Sequence, residues 1–299
     1  MKNIEKIGYV GTANEKTGIY QFTYLNGILS NLHLLTNIPN SKYLAKNNHF
    51  LYSLTGDNDK GGMAIIKDNV ILDQIFYDQI TPTHISVTDN YIYTCNYHDH
   101  SLAVLSFTDE KLHLIKRIQY AKHLGLHQLI IYKNQIIVLC LISNEILFLD
   151  KDLSITNTLQ FKQNVGPRHG IIIGDYLYVV GEINNHLIKI DLHNLNIVDT
   201  IFLTVGSSAA IKKNNNYIFV STRDSNIISV IDIVNFQLIK QLPSQGEHPR
   251  DFIVEDNYLI IANRFSNNII CLDINSGETT SQLTVDEAVC LIKENNDDK

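Results

Sequence analysis

Arginine is rare in this 299-residue chain, and most of its arginines occupy similar places in the sequence. There are five arginines against 19 lysines, and four of the five lie where a β-rich run meets a polar turn: Arg168, Arg223, Arg250 and Arg264. A guanidinium group forms planar, two-pronged hydrogen bonds with carboxylate or phosphate, which an ammonium group cannot do. In a protein whose net charge is −7, this placement indicates a site for a small anion.

The stretch Gly166-Pro167-Arg168-His169 carries the strongest chemical signal, because a Gly-Pro turn delivers an arginine and a histidine to the start of an apolar strand. Glu182 closes the following β-rich run, and His127 and His84 lie near the starts of other strands. Histidine and glutamate transfer protons in many enzymes, and arginine stabilises developing negative charge. Two structural alternatives stay open. Glu182 could form a salt bridge with an arginine, and the histidines could be hydrogen-bonded packing residues.

His98-Asp99-His100 has the alternation of a possible metal site, because every second residue of a strand points the same way. A structural or catalytic metal site needs at least one further ligand, and the sequence offers none nearby. The stretch also lies in a predicted hairpin turn. We therefore interpret it as a solvated turn and expect no metal site and no cofactor.

The composition argues against several classes of protein. The longest apolar run, Ile136 to Ile142, is too short to span a membrane, and the first six residues lack the apolar core of a signal peptide. The four cysteines are widely spaced and lie mostly in apolar runs, which predicts buried, reduced thiols. An acidic balance without a basic run argues against nucleic acid. We expect a cytoplasmic protein without a membrane or nucleic-acid partner.

The chain repeats one pattern seven times: a short β-rich run, a polar turn and a second β-rich run. The last residue before each polar turn marks the repeat, and the seven markers are Asn14, Gly56, Tyr97, Leu141, Glu182, Arg223 and Arg264. Their spacings are 42, 41, 44, 41, 41 and 41 residues. This period predicts an all-β fold, a seven-bladed β-propeller in which each blade is a four-stranded antiparallel sheet.

The repeat also predicts where the chemistry lies. The innermost strand of a blade should start about 13 residues before each marker, near Tyr43, His84, Gln128, His169, Ala210 and Asp251. In an up-and-down sheet, the connection entering the first strand and the connection between the second and third strands lie at the same end. The strand starts and the markers therefore share one face of the ring, and the four arginines should converge there with Glu182 and the histidines.

Ring closure follows from a missing strand. Asn14 has too few residues before it for an innermost strand of its own, whereas the C-terminal run Ala288 to Ile292 lacks a partner. We predict that this run completes the blade formed by Ile7 to Gly11, Gly18 to Tyr24 and Ile28 to Leu35, and so removes an open sheet edge. Residues 1–299 then form one domain, and residues 293–299 form a polar, frayed tail.

Five motifs in this order carry a family resemblance: Gly11-Thr12 with Gly18-Ile19-Tyr20, Pro82 to Val87 with Cys95-Asn96-Tyr97, Gly166-Pro167-Arg168-His169 with Glu182, Ser207 to Ile211 with Ser221-Thr222-Arg223, and His248 to Phe252 with Ala262-Asn263-Arg264. They resemble the seven-bladed lactonase family, which includes bacterial 6-phosphogluconolactonase and fungal carboxy-muconate cyclase. The chain departs from the family pattern at Gly125, where a histidine is usual, and at Gly56, where an acidic residue is usual.

The resemblance implies a lactonase that opens the ring of a small anionic sugar-acid lactone, most similar to 6-phosphogluconolactonase. It implies Glu182 or His127 as the base and Arg168 and Arg223 as stabilisers of charge. The implied substrate contacts are His169, Arg250, Arg264, Tyr97 and His84. We expect a monomer or a weak homodimer. The alternative is a non-catalytic propeller scaffold or anion-binding protein, because the repeats also resemble those of surface and scaffolding proteins.

Overall fold

The computed structural model describes residues 5–47, 49–57, 59–120 and 122–294, and these residues form a seven-bladed β-propeller. Each blade is a four-stranded antiparallel sheet, and the described residues contain 28 strands and no helix. The prediction of an all-β propeller with seven blades is confirmed.

The first sixteen strands in chain order are β1 (Lys6–Thr12), β2 (Ile19–Leu25), β3 (Ile28–Thr36), β4 (Leu44–Lys46), β5 (Leu51–Asp57), β6 (Lys60–Lys67), β7 (Val70–Asp78), β8 (His84–Val87), β9 (Ile92–Asn96), β10 (Ser101–Thr108), β11 (Lys111–Gln119), β12 (Leu126–Tyr132), β13 (Gln135–Cys140), β14 (Glu145–Leu149), β15 (Ile155–Gln160) and β16 (Pro167–Ile173). The remaining twelve are β17 (Tyr176–Gly181), β18 (His186–Asp191), β19 (Ile197–Phe202), β20 (Ser208–Asn214), β21 (Tyr217–Thr222), β22 (Ile227–Asp232), β23 (Gln237–Pro243), β24 (Pro249–Glu255), β25 (Tyr258–Asn263), β26 (Asn268–Asp273), β27 (Thr279–Thr284) and β28 (Ala288–Lys293).

The ring is closed by the C-terminal strand. Blade 1 has the order β28-β1-β2-β3, whereas blades 2 to 7 each take four consecutive strands, beginning with β4 to β7. Strand β28 pairs antiparallel with β1, so that Tyr9 lies opposite Ile292 and Val10 opposite Leu291. Every blade therefore has a complete innermost strand, and the predicted closure is confirmed.

The closing strand extends one residue further than predicted. Lys293 belongs to β28, and the backbone N–H of Glu294 donates to the carbonyl oxygen of Ile7 at 3.0 Å. Glu294 also pairs with Lys46 at 3.1 Å. The predicted frayed tail therefore cannot begin at Lys293, because backbone pairing and an ion pair hold this part of the chain. The rest of the predicted tail, residues 295–299, lies outside the described residues.

The hydrophobic core lies between the blades. Among the described residues there are seven clusters of buried apolar side chains, one for each pair of neighbouring blades. In one of them, Ile137 and Leu139 of blade 4 pack with Leu177 and Val179 of blade 5. Middle strands are covered on both faces and read as continuous apolar runs, whereas outermost strands such as β15 are mostly exposed. This packing fixes the angle at which each blade presents its ends to the central channel.

All four cysteines are free and buried within these blades, as predicted. The described part of the chain has no helix that is long and apolar enough to cross a membrane.

Candidate active site

One backbone feature, repeated around the ring, builds the mouth of the channel. In several blades the innermost strand carries a β-bulge next to its first residue, and the bulged residues are His127, Arg168, Arg250 and Val289. In blade 5, for example, Pro167 lies opposite Gly181 and His169 opposite Val180, so that Arg168 has no direct partner. A bulge bends a strand and redirects its side chain. All four bulged residues line one cavity.

A residue with a left-handed backbone conformation lies two positions before each of the four bulged residues. In blade 5 it is Gly166, with φ of 63°, and in blade 7 it is His248, with φ of 61°. A Cβ atom on Gly166 would lie 2.6 Å from Cγ1 of Ile183. Glycine therefore avoids both a steric clash with Ile183 and the strain of a positive φ. The Gly-Pro-Arg-His motif is therefore a turn that directs Arg168 towards the channel, as the sequence predicted.

The cavity has a volume of about 210 Å³ and lies at the face that holds the strand starts and the markers. Six of its lining residues occupy the same repeat position in six blades: Lys42, Thr83, His127, Arg168, Arg250 and Val289. The equivalent residue of blade 6 is the buried Ala209. Tyr43, His169 and Asp251 line the cavity from the next position, and Arg264 lines it from a marker position.

Glu182 holds two of the arginines together. Its Oε2 atom lies 2.7 Å from Nε of Arg168, and its Oε1 atom lies 2.8 Å from Nη2 of Arg223. The contact with Arg168 lacks hydrogen-bond geometry, and within the described ranges neither Nε nor Nη1 of this buried arginine has a hydrogen-bond partner. One carboxylate thus bridges two cations, and Arg168 keeps donor capacity for a ligand.

The opposite side of the cavity holds less neutralised charge. Nη2 of Arg264 donates to Oε1 of Glu287 at 3.0 Å, whereas Arg250 has no hydrogen-bond or ion-pair partner among the residues that the structure describes. Burial, together with the charges of Arg223 and Arg264, lowers the pKa of Arg250 to about 10. Burial and the same kind of repulsion, from Arg250 and Arg223, lower the pKa of Arg168. The protonated arginines are therefore held at an electrostatic cost that a bound anion would relieve.

His98 lines the cavity, and three further histidines line or underlie it. The ring centroids of His127 and His169 are 4.9 Å apart, and that of His84 lies 6.4 Å from His169 and 4.4 Å from Tyr43. Each ring has one buried nitrogen without a hydrogen-bond partner in the described part of the chain: Nδ1 of His84, Nδ1 of His127 and Nε2 of His169. Burial and nearby cations lower the pKa of all three, that of His84 to about 3. These imidazoles are therefore neutral at pH 7 and can accept a proton or a hydrogen bond.

The structure brings the predicted site residues close together, but only some of them line the cavity. The cavity is lined by five of them, His127, Arg168, His169, Arg250 and Arg264. The other four lie behind or beside this lining. Glu182 and Arg223 are connected to the lining through Arg168, and His84 is buried against Tyr43. The ring of Tyr97 stands 6.1 Å from that of His127.

His98-Asp99-His100 forms a turn, but Asp99 is buried rather than solvated. Its Oδ2 atom accepts the backbone N–H groups of Gln79 at 2.7 Å and Ile80 at 3.3 Å. It thus braces the loop that enters blade 3. The described residues contain no group of three or more His, Cys, Asp or Glu side chains arranged to hold a metal ion.

Comparison with known proteins places the chain in a family. The family model of the lactonase with a seven-bladed β-propeller matches residues 7–292. The chain belongs to this lactonase family. A protein from Lactobacillus plantarum has a similar structure, with a TM-score of 0.88, 23% identity and coverage of 98% of this chain and 100% of that one.

Two further relatives extend the comparison. A candidate 6-phosphogluconolactonase from Bacteroides uniformis has a TM-score of 0.85 and 19% identity, and the alignment covers 97% of this chain and 99% of that one. An uncharacterized protein of Staphylococcus epidermidis is 25% identical over 84% of this chain and 86% of its own length. At these sequence identities the solved structures support the fold alone. The chemistry of this chain has to be inferred from its own residues.

Both departures from the lactonase pattern have a steric counterpart. A Cβ atom on Gly56 would lie 1.8 Å from Oγ1 of Thr81, so an acidic side chain cannot occupy that position in this packing. Gly125 has φ of 65°, and a Cβ atom there would lie 2.6 Å from Cγ1 of Ile142. Glycine at these two positions therefore leaves room for Thr81 and Ile142.

The sequence analysis missed several lining residues, chiefly Lys42, Tyr43, Thr83 and Asp251. For Lys42 and Thr83 the sequence does contain a pattern that identifies them. Lys42 precedes Thr83 by 41 residues, and both stand in the repeat position of Arg168. Aligning the repeats by the residue before each predicted strand start would have identified the cavity lining. Glu287 could be found in the same way, because it precedes the closing strand β28.

Proposed function

We propose that this protein hydrolyses a lactone of a small anionic sugar acid, with 6-phosphogluconolactone as the first substrate to test. One observation carries the proposal: Arg168, Arg250 and Arg264 converge on one cavity in which the Arg250 side chain has no ion-pair or hydrogen-bond partner among the described residues. Cations held together at an electrostatic cost are expected at a site for an anion. Membership of the lactonase family, and the similarity to a candidate 6-phosphogluconolactonase, support the choice of reaction.

His127 is the better of the two bases that the resemblance implied. It lines the cavity, its imidazole is neutral at pH 7, and its Nδ1 atom has no hydrogen-bond partner among the described residues. Glu182 lies behind the lining, and each of its carboxylate oxygens contacts an arginine. We therefore assign Glu182 the role of a positioning residue that holds Arg168 and Arg223.

The reaction proposed for these residues is a hydrolytic ring opening. A water molecule adds to the lactone carbonyl carbon while His127 takes one of its protons. Negative charge develops on the carbonyl oxygen, and Arg168, which retains unpartnered N–H groups, stabilises it. The ring C–O bond then breaks, and the leaving oxygen takes the proton from His127. The product is a hydroxy acid, which releases one proton to solvent at neutral pH.

The substrate's own anionic group is assigned to the side of the cavity formed by Arg250 and Arg264, with His169 as a further contact. This divides the cavity into a reacting side and an anchoring side. Remote binding of this kind orients the reacting carbonyl and lowers the entropic part of the barrier. We further propose that the enzyme acts in the cytoplasm as a monomer or weak homodimer.

The scaffold alternative is disfavoured by asymmetry at the repeat position. A scaffold of identical repeats would present similar residues there, whereas the seven blades present lysine, threonine, histidine, arginine, alanine, arginine and valine. An anion-binding protein without turnover is the stronger competitor. Initial rates with 6-phosphogluconolactone and glucono-1,5-lactone, corrected for spontaneous hydrolysis, decide between them. Turnover that disappears in Arg168→Ala supports the lactonase, whereas phosphate binding without turnover supports the binding protein.

A further inference from the structure

Lys42 of blade 2 occupies the repeat position of Arg168 and Arg250 and lines the same cavity. The entering loop of blade 2 holds it in place. Asn40 takes a left-handed conformation with φ of 55°, and its carbonyl oxygen accepts the backbone N–H of Lys42 at 2.7 Å. The buried Ser41 next to it accepts the N–H of Thr12 at 3.1 Å. The backbone at Lys42 is therefore fixed, and its side chain is the part that can respond to a ligand.

The Lys42 ammonium group has no hydrogen-bond or ion-pair partner among the described residues. The Lys42 side chain lines the cavity but is exposed to solvent. Partial desolvation and the positive charges of Arg264 and Arg250 lower the pKa of its ammonium group, whereas Glu15 and Glu287 oppose this effect. A lysine whose role was to stabilise the fold would be expected to contact a carboxylate, as Lys46 and Lys293 do. Lys42 instead adds a third cation to a pair of arginines that already repel each other.

We propose that Lys42 completes an anion clamp with Arg250 and Arg264 and selects a doubly charged group over a singly charged one. The inference rests on the proposed function, and it names the anionic part of the substrate. The Asp251 carboxylate, which also lines the cavity, is paired with Lys212 at 3.2 Å. Lys42, Arg250 and Arg264 with the Glu287 carboxylate then leave two positive charges on this side of the cavity. A phosphate monoester carries about −1.5 to −2 charges at pH 7 and matches that excess. A single carboxylate would leave one cation without compensation.

The choice of lysine fits a clamp that closes on its ligand. The two arginines offer planar forks, whereas an ammonium group on a flexible stem is a compact point charge with three rotatable donors. A tetrahedral phosphate can use all three contacts, because its oxygens point in several directions. A planar carboxylate that is bound in a two-pronged manner by one arginine presents little to the lysine. Lys42 therefore contributes mainly to binding of the dianion.

The test compares three lactones of decreasing charge: 6-phosphogluconolactone, glucaro-1,4-lactone and glucono-1,5-lactone. We expect Lys42→Met to lower kcat/KM for the phosphorylated lactone by about 10- to 100-fold, the loss expected for one charge-assisted hydrogen bond. The loss should lie in KM, with glucono-1,5-lactone unaffected. Lys16→Met is the matched control, because Lys16 is an exposed lysine in the turn between β1 and β2 and does not line the cavity. Equal losses for all three lactones, or no loss for the phosphorylated one, would overturn the proposal.

A binding measurement separates this proposal from the lactonase assignment. Calorimetric titration with 6-phosphogluconate and with gluconate needs no turnover. The wild-type protein should bind 6-phosphogluconate more tightly, Lys42→Met should lose most of that difference, and Lys42→Arg should recover part of it. If no lactone is hydrolysed but this pattern appears, the lactonase assignment fails and the clamp stands. If Lys42→Met binds both ligands as the wild type does, the clamp is wrong whatever the enzyme activity.

Discussion

Arg168 and Arg250 occupy the same bulged position of blades 5 and 7, and both line one cavity, yet only Arg168 contacts a carboxylate. The charge of Arg250 lowers the pKa of both Arg168 and Lys42. Two side chains placed by one structural device therefore differ in their electrostatic surroundings. Glu182 restrains Arg168, whereas Arg250 is left for a ligand.

Arg250 is expected to lower the stability of the protein when no anion is bound. Replacing it with leucine should leave the melting temperature unchanged or raise it, because a repelling cation is removed from a half-buried site. The same change should abolish the increase in Tm that phosphate or 6-phosphogluconate produces by binding the folded state. Differential scanning fluorimetry with and without the anion measures both effects.

Arg117 provides the matched control for this comparison. Its Nε atom donates to Oδ1 of Asp78 at 2.7 Å, and the Asp78 carboxylate is almost completely buried. Arg117→Leu should destabilise the protein by about 3 kcal/mol, because it leaves a buried charge without its cation. It should keep the anion-induced shift. If Arg250→Leu lowers Tm as strongly as Arg117→Leu does, Arg250 is a structural tie and the anion site is wrong.

The identity of the base can be decided by comparing His127→Asn with Glu182→Gln. Loss of the general base should lower kcat by about 10²- to 10⁴-fold with little change in KM. Glu182→Gln should cause a smaller loss, and it should also lower Tm, because Arg168 and Arg223 lose their shared carboxylate. Steady-state kinetics and thermal denaturation of both variants provide the data. A larger loss of kcat in Glu182→Gln, with unchanged KM, would identify Glu182 as the base.

The buried histidines predict how stability depends on pH. His84, His127 and His169 have folded-state pKa values below the unfolded value of about 6.5, so the folded protein binds fewer protons than the unfolded chain. Their full contribution to stability is present above that value and is lost as pH falls towards the folded pKa. Each can lower the free energy of unfolding by up to about 1.4 kcal/mol per pH unit in this range.

Urea denaturation between about pH 7 and pH 5 measures this slope. His84→Asn should make it shallower, because the variant has one titrating group fewer and the folded-state pKa of His84 is about 3. His33→Asn is the control, since His33 is exposed on the outermost strand of blade 1. A wild-type slope that remains unchanged in His84→Asn would show that His84 is not held neutral in the folded protein.

The closing strand should be a sensitive point of the fold. Leu291 is 1% exposed and packs in the cluster between blades 1 and 7, so Leu291→Ala should cost about 2–5 kcal/mol. Val234→Ala, at a side chain that is 75% exposed, should cost less than about 0.5 kcal/mol. Deletion from Asp286 onward should prevent folding, since it removes β28 and exposes the edge of β1. A truncated protein that melts with the full chain would contradict the closure.

Much of the fold was determined by the sequence alone. The 41-residue period requires repeated four-stranded units, and the missing first strand requires the C-terminal run to complete blade 1. Strand starts were predicted within two residues, because turn chemistry and apolar runs are local properties of the chain. The common face of the four arginines followed from strand direction alone.

The membership of the cavity lining was decided by the tertiary structure. Register shifts at Arg168, Arg250 and Val289 turn these side chains inward, and a shift of this kind depends on the pairing of two strands. Lys42 and Thr83 lie in the wall at the equivalent repeat position, although their strands β4 and β8 pair without a register shift. The function of Glu182 also depends on distance, because its two oxygens contact arginines from different blades. Sequence period determines which end of a blade a residue occupies, whereas the closed ring determines which residues meet across the channel.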